Sequence, residues 1–397
     1  MRYCIDTRSI HPHMAPFVAS LKANLCSSDS VAYVYRSTPN DPNRAVGAKG
    51  LVDDIAIFWD GESDDCGRKC VMTSDVLIEN HRDFELIEER IRQDRFTVYQ
   101  SERWFKPLRI GVTIPGFLRM ALPFGIKRAM RIVRLFGMGK NFYYFPLGEH
   151  AARDMARLCG IMHGDLRCLF RAPEIEFERK PCGQVWLRGG GVGKRYCLDK
   201  MRMWGYFVSP SKCNAYSDLN PPRTNSREIK VLWVGRLLDL KRVDTIVRAV
   251  GKITNIKRAD DSIPSITLDI YGEGPELVRL QRMASRFGNV IRFHSSIPYS
   301  EVRKVMREHD LYVFASNAFE GWGAVVNEAL EEGMRVIASW DAGATTVLLP
   351  RDCCFKSGDV RSLVKLLGKS IPKTGIGDWS ADIAAKNFIK FIEEEKC

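Results

Sequence analysis

The chain has 397 residues, 45% of them apolar, enough for two domains of ordinary size with separate cores. Its twelve cysteines form no disulfide or zinc framework: Cys66 and Cys70 have no second pair or histidine group near them, and Cys353-Cys354 reads as small apolar filler beside a strand. No apolar run approaches the roughly eighteen residues of a membrane span, Met1–Asp6 lacks the apolar stretch of a signal peptide, and the net charge of +12 comes without a nucleic-acid recognition module, so a reduced, cytoplasmic protein is expected.

The first half reads as an α/β domain with irregular insertions. Strands are expected at Arg2 to Ile5, Val31 to Tyr35, Val76 to Ile78, Phe96 to Tyr99 and Phe142 to Phe145, and helices at Phe17 to Leu25, Phe84 to Ile91 and Glu149 to Leu158. His13, His81 and Glu149 stand just beyond such strands and are candidates to contact an acceptor or a sugar, although each also fits a structural role; a carboxylate at a helix start is often only a partner of the helix dipole. From Arg103 through Gly148 there are nine basic residues and no acidic one, interleaved with Phe105, Phe117, Phe124 and Phe136. Within that stretch Phe124 to Met138 draws as a helix with Ile126, Met130 and Val133 on one side and Lys127, Arg131 and Arg134 on another. Residues 103–140 thus resemble a basic amphipathic surface for anionic lipid headgroups, the alternative being a domain helix with a solvated basic face.

Ser209-Pro-Ser-Lys and Asn220-Pro-Pro-Arg-Thr-Asn-Ser226 have the composition of a linker. Beyond it, Lys230 to Gly235 reads as a strand followed by a loop bearing Arg236 and Lys241, two cations placed to neutralise a diphosphate. Ile266 to Tyr271 is the next strand, closed by the turn Gly272-Glu-Gly274-Pro275, with Pro275 at the start of a helix and backbone that a base or ribose approaches closely. Asp310 to Ala315 has the look of a buried parallel strand. It feeds a glycine-flanked loop carrying Glu320, then a helix carrying Glu328. Backbone N–H groups at a helix mouth suit phosphate oxygens, and carboxylates suit sugar hydroxyls. Trp379 to Glu395 is a final helix.

Taken together, Gly235-Arg-Leu-x-x-x-Lys241, Gly272-x-Gly-Pro275 and the Glu320-x7-Glu328 motif resemble, in order and spacing, the nucleotide-sugar half of the family 4 retaining glycosyltransferases over about Ile229 to Pro350. The resemblance implies the α/β GT-B architecture: two Rossmann-like domains facing each other across a cleft, with a C-terminal helix crossing back. The implied bounds are an acceptor domain at 1–208, a linker at 209–228, a nucleotide-sugar domain at 229–376 and a helix at 377–397 returning to the first domain. It further implies that Arg236 and Lys241 hold the diphosphate and stabilise the leaving nucleotide, that Glu320 contacts the donor sugar and that Glu328 binds ribose hydroxyls. Gly235, Gly272, Gly274, Pro275 and the loop Gly321, Trp322 and Gly323 would complete the donor site, with no metal and no cofactor beyond the donor substrate itself.

Where family members carry a Gly-Gly pair in the first loop, this chain has Ile10-His-Pro-His-Met-Ala-Pro-Phe17, a departure that leaves that domain's phosphate contacts without a template. The expected activity is retaining transfer of a hexosyl group from a nucleoside diphosphate sugar, UDP-linked in preference to GDP-linked. The acceptor would be a saccharide or lipid-linked saccharide, in cell-surface polysaccharide or glycoconjugate synthesis, at the inner face of the plasma membrane. An epimerase or phosphorylase of the same fold, and a non-catalytic nucleotide-sugar-binding protein, are the alternatives.

Overall fold

The structure is a computed structural model that describes residues 1–37, 50–59, 65–81, 83–104, 123–191, 193–211, 228–259 and 264–396. Residues 105–122, with Phe105 and Phe117 of the basic stretch, and the Asn220–Ser226 end of the proline-rich segment lie outside the described residues. The chain divides into two compact units, Met1–Val208 with Asp378–Cys397, and Ser209–Gly377.

The first unit is built on strands β1 (Arg2–Thr7), β2 (Ser30–Tyr35), β3 (Ala56–Phe58), β4 (Val76–Glu79), β5 (Phe96–Ser101) and β6 (Phe142–Pro146). They lie in the order β3-β2-β1-β4-β5-β6, every neighbouring pair parallel. Helices α1 (Ala15–Asn24), α2 (Asp65–Thr73), α3 (Phe84–Arg92), α4 (Pro123–Met138) and α5 (Glu149–Met162) alternate with them. The central strands are buried almost end to end, as parallel strands covered on both faces must be. Helix α3 starts where the Asp83 carboxylate accepts from the Leu86 N–H at 3.2 Å, satisfying a donor that the first turn leaves open. A two-stranded antiparallel ribbon, β7 (Ile175–Phe177) with β8 (Val185–Leu187), follows α5.

The second unit repeats the plan. Strands β9 (Glu228–Val234), β10 (Ser265–Tyr271), β11 (Ile291–His294), β12 (Leu311–Phe314), β13 (Arg335–Ser339) and β14 (Cys354–Phe355) lie in the order β11-β10-β9-β12-β13-β14, again all parallel. Its helices are α6 (Val243–Ala259), α7 (Leu277–Ala284), α8 (Tyr299–Arg307), α9 (Val325–Glu331), α10 (Gly343–Leu348) and α11 (Val360–Leu367). One apolar core joins Val231, Trp233, Ile246, Val250, Leu268, Val313 and Leu363. Ser211, at the start of this unit, is clamped: its N–H donates to Glu331 at 2.9 Å and its hydroxyl to Glu332 at 3.1 Å. In each sheet the strand order reverses beside the first strand, at β1/β4 and at β9/β12, the place where open α/β sheets leave a crevice for ligands at their carboxyl ends.

Helix α12 (Ala381–Lys396) belongs to the first unit. Phe388 and Phe391 enter an aromatic cluster with Phe17, Phe145 and Trp204. Glu395 accepts from Arg202 at 2.7 Å and from the Tyr143 hydroxyl. Helix α4 differs from the face drawn from its sequence. Ile132, Val133 and Leu135 are its buried side chains, whereas Met130 is 51% exposed; Ile126 lies outside the described side chains. The reason is packing: Phe136 meets Phe142 edge-on and Arg131 pairs with Glu88 of α3, which turns Met130 outward. No helix among the described residues is long and apolar enough to cross a membrane.

Candidate functional site

In the second unit, β9 leads into Gly235 and β12 into Ser316 and Asn317, so the two loops leave neighbouring strands on either side of the switch point. The main chain ties them: the Asn317 N–H donates to the Leu240 carbonyl at 2.8 Å. Asn317 then folds its own loop, its side chain accepting from the Phe319 N–H at 3.0 Å and its carbonyl from the Glu320 N–H at 2.9 Å. That geometry brings the Lys241 ammonium and the Glu320 carboxylate into a direct ion pair. Arg236 is exposed, and its side chain makes no hydrogen bond or ion pair among the described residues. A cation held by a carboxylate and a second with no partner therefore stand on one loop.

Glu328 lies on α9 and is 4% exposed. Its Oε1 accepts from the Tyr299 hydroxyl of α8 at 2.9 Å. Burial pushes its carboxyl up to about 7, against the opposing pull of the Tyr299 hydrogen bond and the charge of Arg303. Tyr299 was invisible to motif reasoning, since it stands 29 residues before its partner; a tyrosine opening a helix after Pro298 was the sole signal.

The glycines are explained by packing of one loop on another. Gly272 and Gly274 have φ of 139° and 153°, and a Cβ on them would fall 1.9 Å from the Gly235 carbonyl oxygen and 2.4 Å from that of Leu237. The same two loops are laced by Leu237 N–H to Glu273 O at 2.8 Å and Glu276 N–H to Leu237 O at 3.1 Å. Pro275 stands in the turn, and the helix begins at Leu277, two residues later than its proline suggests. Trp322, expected beside the sugar, turns its indole into the core: it is 1% exposed and donates to Asn327 Oδ1 at 2.8 Å. With the indole buried, Trp322 presents its main chain to the loop, the amide role that the resemblance implies for it. The Gly321 and Trp322 carbonyls are themselves committed, to the Gly343 and Ala344 N–H groups at 3.0 Å each. Gly323, at φ 90°, packs against the Phe314 ring, where a Cβ would come within 2.7 Å.

In the first unit, His13 follows β1 and His81 follows β4, the two strands that flank the switch point, but Glu149 follows β6, two strands beyond β4. At the usual strand spacing that offset is roughly 10 Å. Glu149 is buried and accepts from Arg153 at 2.6 Å, one helical turn along α5. His13 lies against His11, which stacks on Tyr206 with ring centroids 4.9 Å apart. The His81 backbone N–H donates to Glu79, and burial and Arg36 hold its imidazole below its ordinary value. The sequence reading passed over what lies beneath. Asp6 and Glu79, on adjacent strands, are both fully buried; Arg36 donates to both Asp6 oxygens, at 3.2 and 2.5 Å, and stacks over Trp59. Burial and the facing Asp6 push the Glu79 carboxyl well up. Acidic residues closing the apolar strands Tyr3-Cys-Ile-Asp6 and Val76-Leu-Ile-Glu79 were the available sign.

Two parallel-sheet Rossmann-like halves with this strand order define a GT-B fold. Solved structures share it along their whole length: the lipopolysaccharide outer core galactosyltransferase WaaB, 13% identical with a TM-score of 0.59 over all of both chains, and HepE of Anabaena in complex with UDP, 12% identical with a TM-score of 0.60 over 99% of this chain and 100% of that one. Residues 218–372 match the family Glycosyl transferases group 1. Among curated proteins the chain is similar to the phosphatidylinositol N-acetylglucosaminyltransferase GPI3 subunit of Saccharomyces cerevisiae, 25% identical over 154 residues that make up 38% of this chain and 32% of that protein. The chain thus matches about a third of that relative's length, and the residues matched by the family, 218–372, include Lys241 and Glu320.

Proposed function

We propose that this protein is a retaining glycosyltransferase that moves a sugar from a nucleoside diphosphate sugar to an acceptor hydroxyl, with the donor held at the β9/β12 switch point. The observation that carries the reading is the direct Lys241–Glu320 pair, formed between the loops of two adjacent strands, with the unpartnered Arg236 beside it. Such a pair stores a cation without a ligand. An arriving diphosphate takes over Lys241 and Arg236, and the released Glu320 accepts from sugar hydroxyls. Glu328 and Tyr299 form the buried acceptor of ribose hydroxyls. In the reaction the bond from the anomeric carbon to the diphosphate oxygen breaks, and the acceptor oxygen bonds the same face. The acceptor proton passes to the departing phosphate, whose growing negative charge meets Arg236 and Lys241.

A UDP-linked donor is favoured because HepE, of the same fold, binds UDP; the match to an N-acetylglucosaminyltransferase supports transfer rather than epimerisation. His13 and His81, beside the switch point of the first sheet, are proposed to contact the acceptor or sugar; Glu149, which follows another strand and is paired with Arg153, is retained only as an outer contact. The proposed acceptor is a saccharide or lipid-linked saccharide of a cell-surface glycoconjugate. The test is release of nucleoside diphosphate from UDP-, GDP- and ADP-sugars, with and without a membrane-derived acceptor extract, in the natural protein and in Glu328→Ala. Acceptor-stimulated release from one donor, with a labelled product of retained configuration and its loss in the variant, supports the proposal. Isomerised donor without acceptor would identify an epimerase, and binding without turnover across the panel a non-catalytic protein.

A further inference from the structure

At the switch point of the first sheet two carboxyl groups are buried against each other. Asp6 and Glu79 are register partners on β1 and β4, both fully buried, and their side chains are in hydrogen-bond contact. Such a contact needs a proton, since ionised carboxylates only accept. Asp6 is the partner that keeps its charge, because both of its oxygens accept from the Arg36 guanidinium, at 3.2 and 2.5 Å. Glu79 has no such cation of its own. Its Oε1 accepts from the His81 backbone N–H, whereas its Oε2, equally buried, accepts from no donor among the described residues. Oε2 is therefore where the shared proton sits, and burial and the facing Asp6 favour that neutral form.

The loop that follows β4 hangs on this pair. The Asn80 N–H donates to the Asp6 carbonyl at 3.1 Å, the His81 N–H to Glu79, and Asp83, which caps α3, accepts from Arg36 at 3.1 Å. The backbone is thus fixed at His81 and on both sides of it. The imidazole is not: its Nδ1 is buried and has no protein partner among the described residues. A histidine kept for structure alone would spend that nitrogen on the protein. Burial, Arg36 and Arg8 favour the neutral ring against the charges of Asp6 and Asp83, so one ring nitrogen can accept and the other donate. We propose that Glu79 is a positioning residue: it donates its proton to Asp6, accepts the His81 N–H, and so fixes His81 at the carboxyl edge of the first sheet with an imidazole nitrogen left for a hydroxyl of the substrate. The substrate side of this inference rests on the reading of His81 as a sugar or acceptor contact; the hydrogen bonding of Glu79 does not.

The first test uses the full chain without any donor. The His81 imidazole is titrated by NMR on protein carrying isotope-labelled histidine, its signal assigned by its loss in His81→Ala. The expected midpoint lies below 6.5 in the natural protein and is unchanged in Glu79→Gln, where an amide replaces a neutral carboxyl bond for bond. A midpoint that falls by about one pH unit or more in Glu79→Gln would mean that a negative charge had been removed, and would overturn the proposal. The second test is turnover of the donor that the release assay selects. Glu79→Leu, which keeps neither hydrogen bond, should lower kcat/KM roughly a hundredfold, the cost of a displaced contact group. Glu79→Gln should restore it, and Glu79→Leu added to His81→Ala should cost nothing further, since both act through one imidazole. Additive losses, or a glutamine variant as impaired as the leucine one, would overturn the proposal. Urea midpoints show which variants are folded; should Glu79→Leu not fold, the glutamine variant still decides through the titration. Full turnover in His81→Ala would overturn the substrate side. Absence of turnover in every protein would count against the transferase reading, while the titration would still decide the role of Glu79.

Discussion

Lys241 and Glu320, 79 residues apart in sequence, are ion-paired across the switch point of the second sheet. Their side chains keep 23% and 17% of their exposure, so the pair is half-buried and contributes at most about 1 kcal/mol to folding. Its consequence is for turnover. Lys241→Ala is expected to lower kcat by about 10²–10³-fold, the cost of removing one preorganised group from a developing charge. Glu320→Gln should lose activity while leaving the urea midpoint close to that of the natural protein. The double variant should lose less than the sum of the two, since each residue positions the other. Steady-state kinetics on the four proteins of this cycle check the expectation; strict additivity would mean that the pair acts as two independent groups.

Glu328 predicts how nucleotide binding and stability depend on pH. Its folded-state value is about 7, above the ordinary 4.5, because burial favours the neutral carboxyl. Between these values the folded protein binds the proton and the unfolded one does not. This contribution to stability is fully present below about 4.5 and is lost as pH rises through 7, on the order of 3 kcal/mol in all. A ribose hydroxyl donating to Glu328 favours the carboxylate, so nucleoside diphosphate affinity should rise with pH until about 7 and then level. Isothermal titration across that range should show the rise, with proton release. Glu328→Gln should abolish the slope. Tyr299→Phe removes a hydrogen bond to the ionised form and should move the inflection to higher pH.

Gly272→Ala is expected to destabilise the second unit by about 2–4 kcal/mol, because the new methyl meets backbone rather than a yielding side chain. Gly288→Ala is the control. Its φ is 56°, with open space around it, so only the left-handed backbone penalty of about 1 kcal/mol applies. Urea unfolding of the two variants should differ accordingly. Equal losses would show that the loop at Gly272 can move away from Gly235.

Which of these features a reader of the sequence sees depends on the distance over which they are specified. The strands β1, β9 and β12 announce themselves as apolar runs, and the three donor motifs are local patterns with fixed spacing. The short strands β3, β11, β13 and β14, two to five residues each, carry too few positions for alternation to register. The resemblance assigns Trp322 a role through its loop amide, and nothing local in the glycine loop announces that its indole is buried against Asn327, five residues on. Arg36, Asp6 and Glu79 come from three strand ends and form a network that only the strand order brings together. On α4 the periodicity was correct and its phase was not, since Phe136 and Arg131 set the rotation of the helix through neighbours distant in sequence.

Asp269 is the hub of a second such network and provides the last expectation. It is 4% exposed in the middle of β10, and it accepts from Arg292 at 2.8 and 2.5 Å, from His294 at 2.6 Å and from His309 at 3.2 Å. Burial alone would raise its carboxyl, but the hydrogen bonds from His309, Arg292 and His294 together hold it well below the ordinary 3.8. The sign is therefore opposite to that of Glu328. Asp269 stabilises the fold above 3.8, and the contribution is lost only as acidification carries the pH down through its lowered folded value. Asp269→Asn leaves the arginine and both imidazoles facing a neutral amide, at a cost of about 2–4 kcal/mol. His309 also turns its Nδ1 to the Val305 carbonyl at 2.8 Å, so it anchors α8, the helix that carries Tyr299, to β10. Urea unfolding of Asp269→Asn should show the loss at neutral pH and a shallower dependence in acid than in the natural protein. Nucleotide affinity should fall with it, as Tyr299 loses its fixed approach to Glu328; stability lost with unchanged affinity would separate the network from the site.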